Sequence, residues 1–579
     1  MKRIVGALHR IYASEAGRWI AAAVLALALY LLAVVLQPVI TFYDNDDLNI
    51  AWALAGYRSG LPSYAHPFIN CITAFVVSAL YGAFPSVPWW YAVQTGCMLL
   101  AVTCVTAATL KLAFRRRWPL LVPLMITALL CAGAYYYALS QVMFTLSSTL
   151  LGMASAAMAL AAEGDDPPAR RRFYWIACVL LLGLSLLIRQ SSGLCAACFV
   201  FGCMAFRLLE GGRDKGRVQR VLVAAVSAVL LLAALVGVNA WGRATQNPAG
   251  FIEFENARAA YMDYPHDLQY ENKPLYDAIG WDETLQGLVE AWFFMDERVN
   301  ADTLSMAADG ATYANLPVPM RAARAWESVG VFLGKYPIAV YLVIMIACAL
   351  AALLVAFLRY RRVLPLLGGL CMAAGGAALL AFLYWQGRMN LRTHMTIAFP
   401  ALMTILLFFL LSKPETDERE TRRGAWLYAA CGGMALVSLF CGYKIFRTVV
   451  SYDSVDTLAE TRAVAEYAMA HGDGVYIRDV YTANNFDALT VYPEEKPTNL
   501  IDWGGCDMYT RARVAQWALN GYDAPPNAQV FLDENVYYLC NPSEQYLPLF
   551  AAYMRERCGA AGYEITDTIT PNVAVVRFY

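Results

Sequence analysis

Apolar runs long enough to cross a hydrocarbon layer of roughly 30 Å as helices dominate this chain and leave few folds open to it. They lie near 19–41, 90–110, 118–137, 142–162, 173–188, 192–209, 220–241, 336–358, 364–384, 394–412 and 425–443. Only 15% of the 579 residues are charged and 59% are hydrophobic; soluble domains average about a quarter charged. A net charge of −1 gives nucleic acid no electrostatic reason to bind. The segment before Trp19 is basic, but the first run is too long for a secretory leader and lacks a small-x-small cleavage pattern. It reads as a signal anchor.

A twelfth run, 67–84, decides the topology. Counted as a span, it puts Arg115-Arg116-Arg117 outside and inverts every later loop. Left out, it places all the basic segments on one side: Met1–Arg18, Lys111–Arg117, Arg170–Arg172, Arg207–Arg220, Arg359–Arg362 and Lys413–Arg423. Cytoplasmic loops carry the Lys and Arg excess. The expectation is therefore a polytopic α-helical protein of the cytoplasmic membrane with about eleven spans, its N-terminus cytoplasmic. The run 67–84 then lies in the outer interface.

A transmembrane domain over 1–443 follows, with outer loops 42–89 and 242–335, and an extracytoplasmic domain over 444–579. In that tail, alternating runs at Val475–Ile477, Val536–Leu539 and Val573–Tyr579 are separated by helical stretches at Val455–His471, Thr510–Asn520 and Glu544–Arg557. This is the pattern of a small α/β domain. Cys540 and Cys558 sit there, paired or as two thiols. The other cysteines lie mostly in apolar runs and behave as small hydrophobes. There is no nucleotide-binding, dinucleotide, serine-elbow or zinc-protease motif.

Chemistry points to the outer ends of the spans. Phe42-Tyr43-Asp44-Asn45-Asp46-Asp47 follows the first span. Crowded carboxylates raise one another's pKa or recruit a cation; Asp44 with Asp46 is a candidate site for Mg or Mn. Capping of the following helix is the competing reading. The segment Tyr64-Ala65-His66-Pro67-Phe68 comes next. Arg189-Gln190-Ser191-Ser192 and the turn Gln386–His394, with Arg388 and Arg392, place arginines outside against the charge bias. Guanidinium groups bind phosphate bidentately, although balancing of surface charge would serve equally. The long loop interleaves aromatic and carboxylate residues at Phe254–Arg258, Asp263–Asp267 and Trp292–Glu297, a mixture that suits sugars or simple packing on the membrane and tail.

The acidic pair Asp46-Asp47 and the element His66-Pro67-Phe68 resemble the GT-C superfamily of membrane glycosyltransferases, as in protein O-mannosyltransferases and aminoarabinose transferases. Those proteins carry an acidic pair, usually Asp-Glu, outside the first span, and a His/Lys-Pro-Pro-like element some twenty residues later that opens a juxtamembrane helix. The pair here is Asp-Asp and the proline single. The resemblance implies inverting outer-face transfer from a polyprenyl-phosphate sugar to an envelope glycan, lipid or protein. Asp46, or Asp47, would be the base, and Arg189, Arg388, Arg392 and His394 would bind the donor phosphate. His66, Tyr64, Asp263 and His266 would meet acceptor or sugar. A lipid-linked glycan transporter, an envelope-assembly scaffold, or a polysaccharide polymerase or ligase are the alternatives. Clean spans with polar residues at their outer ends favour chemistry over translocation.

Overall fold

The computed structural model describes residues 12–37, 40–43, 45–64, 66–164, 166–212, 214–268, 270–312, 316–415, 425–450, 455–483, 488–544 and 546–579. Among these residues eleven helices are long and apolar enough to cross a membrane, one for each expected run. The run 67–84 forms only Cys71–Ala83, 13 residues. At about 1.5 Å per residue such a helix reaches barely two thirds of the hydrocarbon thickness. The layout is a bundle of spans, a short apolar helix beside it, and a folded domain after the last span.

Helices Phe144–Ala161 and Leu391–Leu411 form the centre of the bundle, completely buried over their apolar windows. Small residues let neighbouring backbones close on the first of them. A Cβ built on Gly152 would sit 2.2 Å from that of Ala196. Peripheral helices Glu15–Leu36 and Val363–Trp385 bury only 17% of theirs and turn Val24, Leu31, Leu367 and Phe382 outward.

The basic segments meet at one end of the bundle. Arg115 lies 2.8 Å from Asp166, Arg116 is 3.4 Å from Glu163 and 3.5 Å from Glu210, and Arg362 is 3.7 Å from Glu210. Lys111 also pairs with Asp166, and Arg170 with Glu15. Lys413 donates to the Arg117 carbonyl at 3.0 Å. Lys111, Arg116, Glu163, Asp166 and Lys413 are buried; buried charges need partners, and the loops supply them to one another.

At the opposite end the long loop and the tail build one body. The tail sheet has the order β2-β1-β3-β5-β4, from β1 (Val475–Arg478), β2 (Leu500–Asp502), β3 (Val536–Cys540), β4 (Tyr563–Thr570) and β5 (Val573–Phe578). β1 runs parallel to β2 and β3, whereas β5 is antiparallel to β3 and β4. One hydrophobic core joins this sheet to helices of the loop. Phe293 packs on Trp503, Phe550 and Tyr553. Gly504 allows the closest approach: a Cβ there would lie 1.6 Å from the Trp292 carbonyl oxygen. Phe293 and Phe294 are buried, so the aromatic part of Trp292–Glu297 goes largely to packing. Cys540 and Cys558 are both free thiols.

Arg58 clamps this body to the bundle. It follows helix Asn45–Ala55 and reaches back 2.6 Å to Asn49. Its other contacts are an ion pair with Asp507 and a 3.5 Å approach to Asp502. Arg478 lies 2.6 Å from Asp502, and Arg513 lies 3.1 Å from Asp502 and 3.2 Å from Asp507. Burial alone would raise the Asp502 pKa, but Arg478, Arg513 and Arg58 outweigh it and hold the carboxyl below its usual range. Tyr492 N–H donates to the Tyr57 hydroxyl at 2.8 Å, and Lys496 to the Gly60 carbonyl at 2.6 Å.

Candidate functional site

Asp46 and Asp47 occupy the first turn of helix Asn45–Ala55. Successive helical side chains point about 100° apart, and the two carboxylates separate accordingly. Asp47 is fully buried. Its Oδ1 accepts from Trp90 Nε1 at 2.9 Å and Gln94 Nε2 at 2.8 Å, and both its oxygens lie 3.3 Å from the Phe144 amide. It thus satisfies an open N–H at the start of helix Phe144–Ala161. A carboxylate so enclosed is a structural acceptor. Asp46 instead faces Arg392, with Oδ2 2.6 Å from Nη1 and side-chain exposures of 14% and 19%. Asp44 lies outside the described residues. Among the described residues no group of three or more His, Cys, Asp or Glu gathers as a metal would require.

Beside this pair lies a cavity of about 260 Å³ lined by Arg189 and Arg388. Its polar wall adds Thr145, Ser191 and Thr393, and its apolar wall is Leu379, Phe382, Leu383 and Ile397. Phe382 is 58% exposed on the outside of the bundle, so the apolar wall continues onto the lipid-facing surface. Arg189 is braced by Thr145 Oγ1 at 2.5 Å and Ser191 Oγ at 3.2 Å, and its guanidinium sits 4.3 Å above the Phe144 ring. Arg388 lies 3.0 Å from Asp263, which also meets Arg258 at 3.2 Å. Two arginines above an apolar trough suit an anionic head on a hydrocarbon chain.

His66 is buried in the same neighbourhood. Its Nδ1 accepts from the Phe68 amide at 3.3 Å, and among the described residues Nε2 has no hydrogen-bond partner. Phe68 stacks on Phe144, linking the ring to the Arg189 platform. Burial pushes the His66 pKa down to about 4, and the nearby charges of Asp507, Arg58, Asp46 and Arg243 largely offset one another. An unfolded histidine titrates at its ordinary 6.5 while the folded one stays neutral until about 4. Its contribution is complete above 6.5 and is lost as pH falls through that window. The wild-type thermal midpoint in detergent should therefore drop more between pH 6.5 and 4 than that of His66→Gln. Parallel curves would refute this.

Other expected residues lie elsewhere. Tyr64 lines a separate cavity of about 250 Å³ with Gln246 and Arg511. His394 is buried against Phe332, its ring 5.3 Å away, and its Nδ1 is 3.4 Å from the Tyr384 hydroxyl; it does not line the arginine cavity. His266 pairs with Glu290 at 2.7 Å. Burial is the largest influence and lowers its pKa, but the Glu290 hydrogen bond and charge, with the Tyr264 and Tyr261 backbone, together outweigh it and raise it. Phe144 and Thr145 escaped sequence reasoning, because at the mouth of an apolar run they look like ordinary span residues.

No protein-family model and no curated protein matches the chain. Among solved structures it is similar to ArnT from Cupriavidus metallidurans. The form bound to undecaprenyl phosphate is 11% identical, with 97% of this chain and 98% of that one covered and a TM-score of 0.38. The apo form is 12% identical over 98% of each chain, with a TM-score of 0.37.

Proposed function

We propose that this protein transfers a sugar from a polyprenyl-phosphate carrier to an envelope acceptor at the outer face of the cytoplasmic membrane. The observation that carries the reading is the Asp46–Arg392 ion pair beside an amphiphilic cavity lined by Arg189 and Arg388. The acceptor hydroxyl oxygen attacks the anomeric carbon and Asp46 takes its proton. The bond from that carbon to the phosphate oxygen breaks, the phosphate leaves with the electron pair, and Arg189 and Arg388 hold the growing charge. Attack opposite the leaving group inverts the anomeric centre. Arg392 positions Asp46, and the apolar wall receives the prenyl chain. A divalent cation held at Asp44 and Asp46 would supply the same neutralisation, and full turnover after chelation would assign it to the arginines alone.

Polyprenyl monophosphate at 100 times its Kd should stabilise the purified protein by about 2.7 kcal/mol, read as a rise in thermal midpoint. Arg388→Ala should abolish most of the rise. Arg388→Lys should weaken it, because the charge survives and the fork does not. An equal rise in all three proteins would remove the phosphate site. Binding without any sugar transfer would favour the transporter reading.

A further inference from the structure

The loop Asp263–His266 meets the turn that carries Arg388. Asp263 pairs with Arg388, whose guanidinium lies 5.7 Å from the centre of the Tyr264 ring. Gly387 adopts φ +76°, and a Cβ on it would come within 2.9 Å of Pro265. Only a residue without a side chain lets the two turns meet so closely. Beyond them His266 and Glu290 form their hydrogen bond, backed by Tyr261. The Tyr261 ring lies 3.9 Å from the His266 ring, and its hydroxyl is 3.3 Å from the Glu290 carboxylate. Next to Glu290 two tail residues, Tyr481 and Tyr546, stack 5.1 Å apart and within 9° of parallel. The Tyr481 hydroxyl lies 3.4 Å from the Glu290 carbonyl oxygen.

This arrangement has unused capacity. Tyr481 is 44% exposed although one face of its ring is covered by Tyr546. The Glu290 side chain is 36% exposed, whereas that of His266 is 8% exposed. An aromatic face presented to water beside a fixed carboxylate matches a pyranose: C–H groups lie on the ring and a hydroxyl donates to the carboxylate. The Glu290 carboxylate repels anionic sugars, and Asp267, next to His266 in the chain, adds negative charge to the same loop.

We propose that Tyr481, Tyr546, Glu290 and His266 form a binding subsite for a neutral pyranose of the acceptor. The acceptor is then a glycan that runs from this platform, past Tyr264, to Asp46. The assignment of this sugar to the acceptor rests on the transferase reading above; the binding itself does not.

The test uses the full chain in detergent on an array of neutral and uronic-acid oligosaccharides. Wild type should bind a class of neutral glycans and no uronic-acid ones. Tyr481→Ala and Glu290→Gln should each lose at least tenfold in apparent affinity, while Tyr481→Phe, which keeps the ring, should retain binding. Thermal midpoints of the variants identify any loss caused by unfolding, and the isosteric Glu290→Gln and Tyr481→Phe keep the test alive if Tyr481→Ala fails to fold. Binding of no neutral glycan, or binding indifferent to Glu290→Gln in a folded protein, overturns the proposal. Polyprenyl monophosphate binding is measured on the same preparations. Its absence alongside glycan binding would remove the transferase reading and leave the platform; its presence without glycan binding would do the reverse.

Discussion

Asp46→Asn is expected to reduce sugar transfer by about 10²–10⁴-fold, the usual loss when a general base is removed. Donor binding should survive, because Asp46 does not line the cavity proposed for the phosphate. The fold should survive as well: asparagine keeps one acceptor oxygen for Arg392, and the two side chains retain 14% and 19% exposure. Asp47→Asn should behave in the opposite way. Asp47 is enclosed by Trp90, Gln94 and the Phe144 amide, and an amide nitrogen there would set donor against donor. A buried polar group left unsatisfied costs about 1–3 kcal/mol, so Asp47→Asn should lower the thermal midpoint and lose activity in proportion. Single-turnover rates and melting curves on the two variants separate the roles. Wild-type turnover in Asp46→Asn would end the assignment.

The contrast between these neighbours shows where the sequence stops informing. Two adjacent aspartates look alike in one dimension, and only the helix that carries them turns one inward and the other toward Arg392. The spans were legible because hydropathy and loop charge constrain each other: one decision about 67–84 put every basic segment together. The arginines at 189 and 388 stood out as charges on the side where the bias forbids them. Their convergence on one cavity was not visible, since it depends on how helices Gln190–Gly211 and Leu391–Leu411 pack. In the tail, β1, β3 and β5 announced themselves as short apolar runs, and they are buried along nearly their whole length. β2 has three residues, and β4 is exposed along most of its length, so neither leaves such a pattern. The run Trp292–Glu297 had the composition of a sugar platform, but Phe293 and Phe294 went into the core. His266 and Glu290, 24 residues apart, were brought together by the loop.

The largest stability effect is expected at Asp507, not at the arginines it serves. Three guanidinium groups, Arg58, Arg478 and Arg513, share two carboxylates, Asp502 and Asp507, in a largely buried cluster. The cluster already carries one excess positive charge. Asp507→Asn leaves three cations on a single carboxylate, and breaking a buried pair this way costs about 3–5 kcal/mol. Arg58→Met removes the excess instead, leaving two arginines on two carboxylates, and should cost less. The double variant restores the original balance of one, so it should be more stable than Asp507→Asn alone. Such a sign of coupling is what a double-mutant cycle reads. Because Arg58 also holds Asn49 on the helix that carries Asp46, Asp507→Asn should lose transfer activity at the temperature where the clamp melts, below the midpoint of the bundle. Thermal midpoints of the four proteins, followed together with protease sensitivity of the tail, decide the matter. A double variant less stable than Asp507→Asn would show that the cluster is held by packing around Arg58 and not by its charge balance.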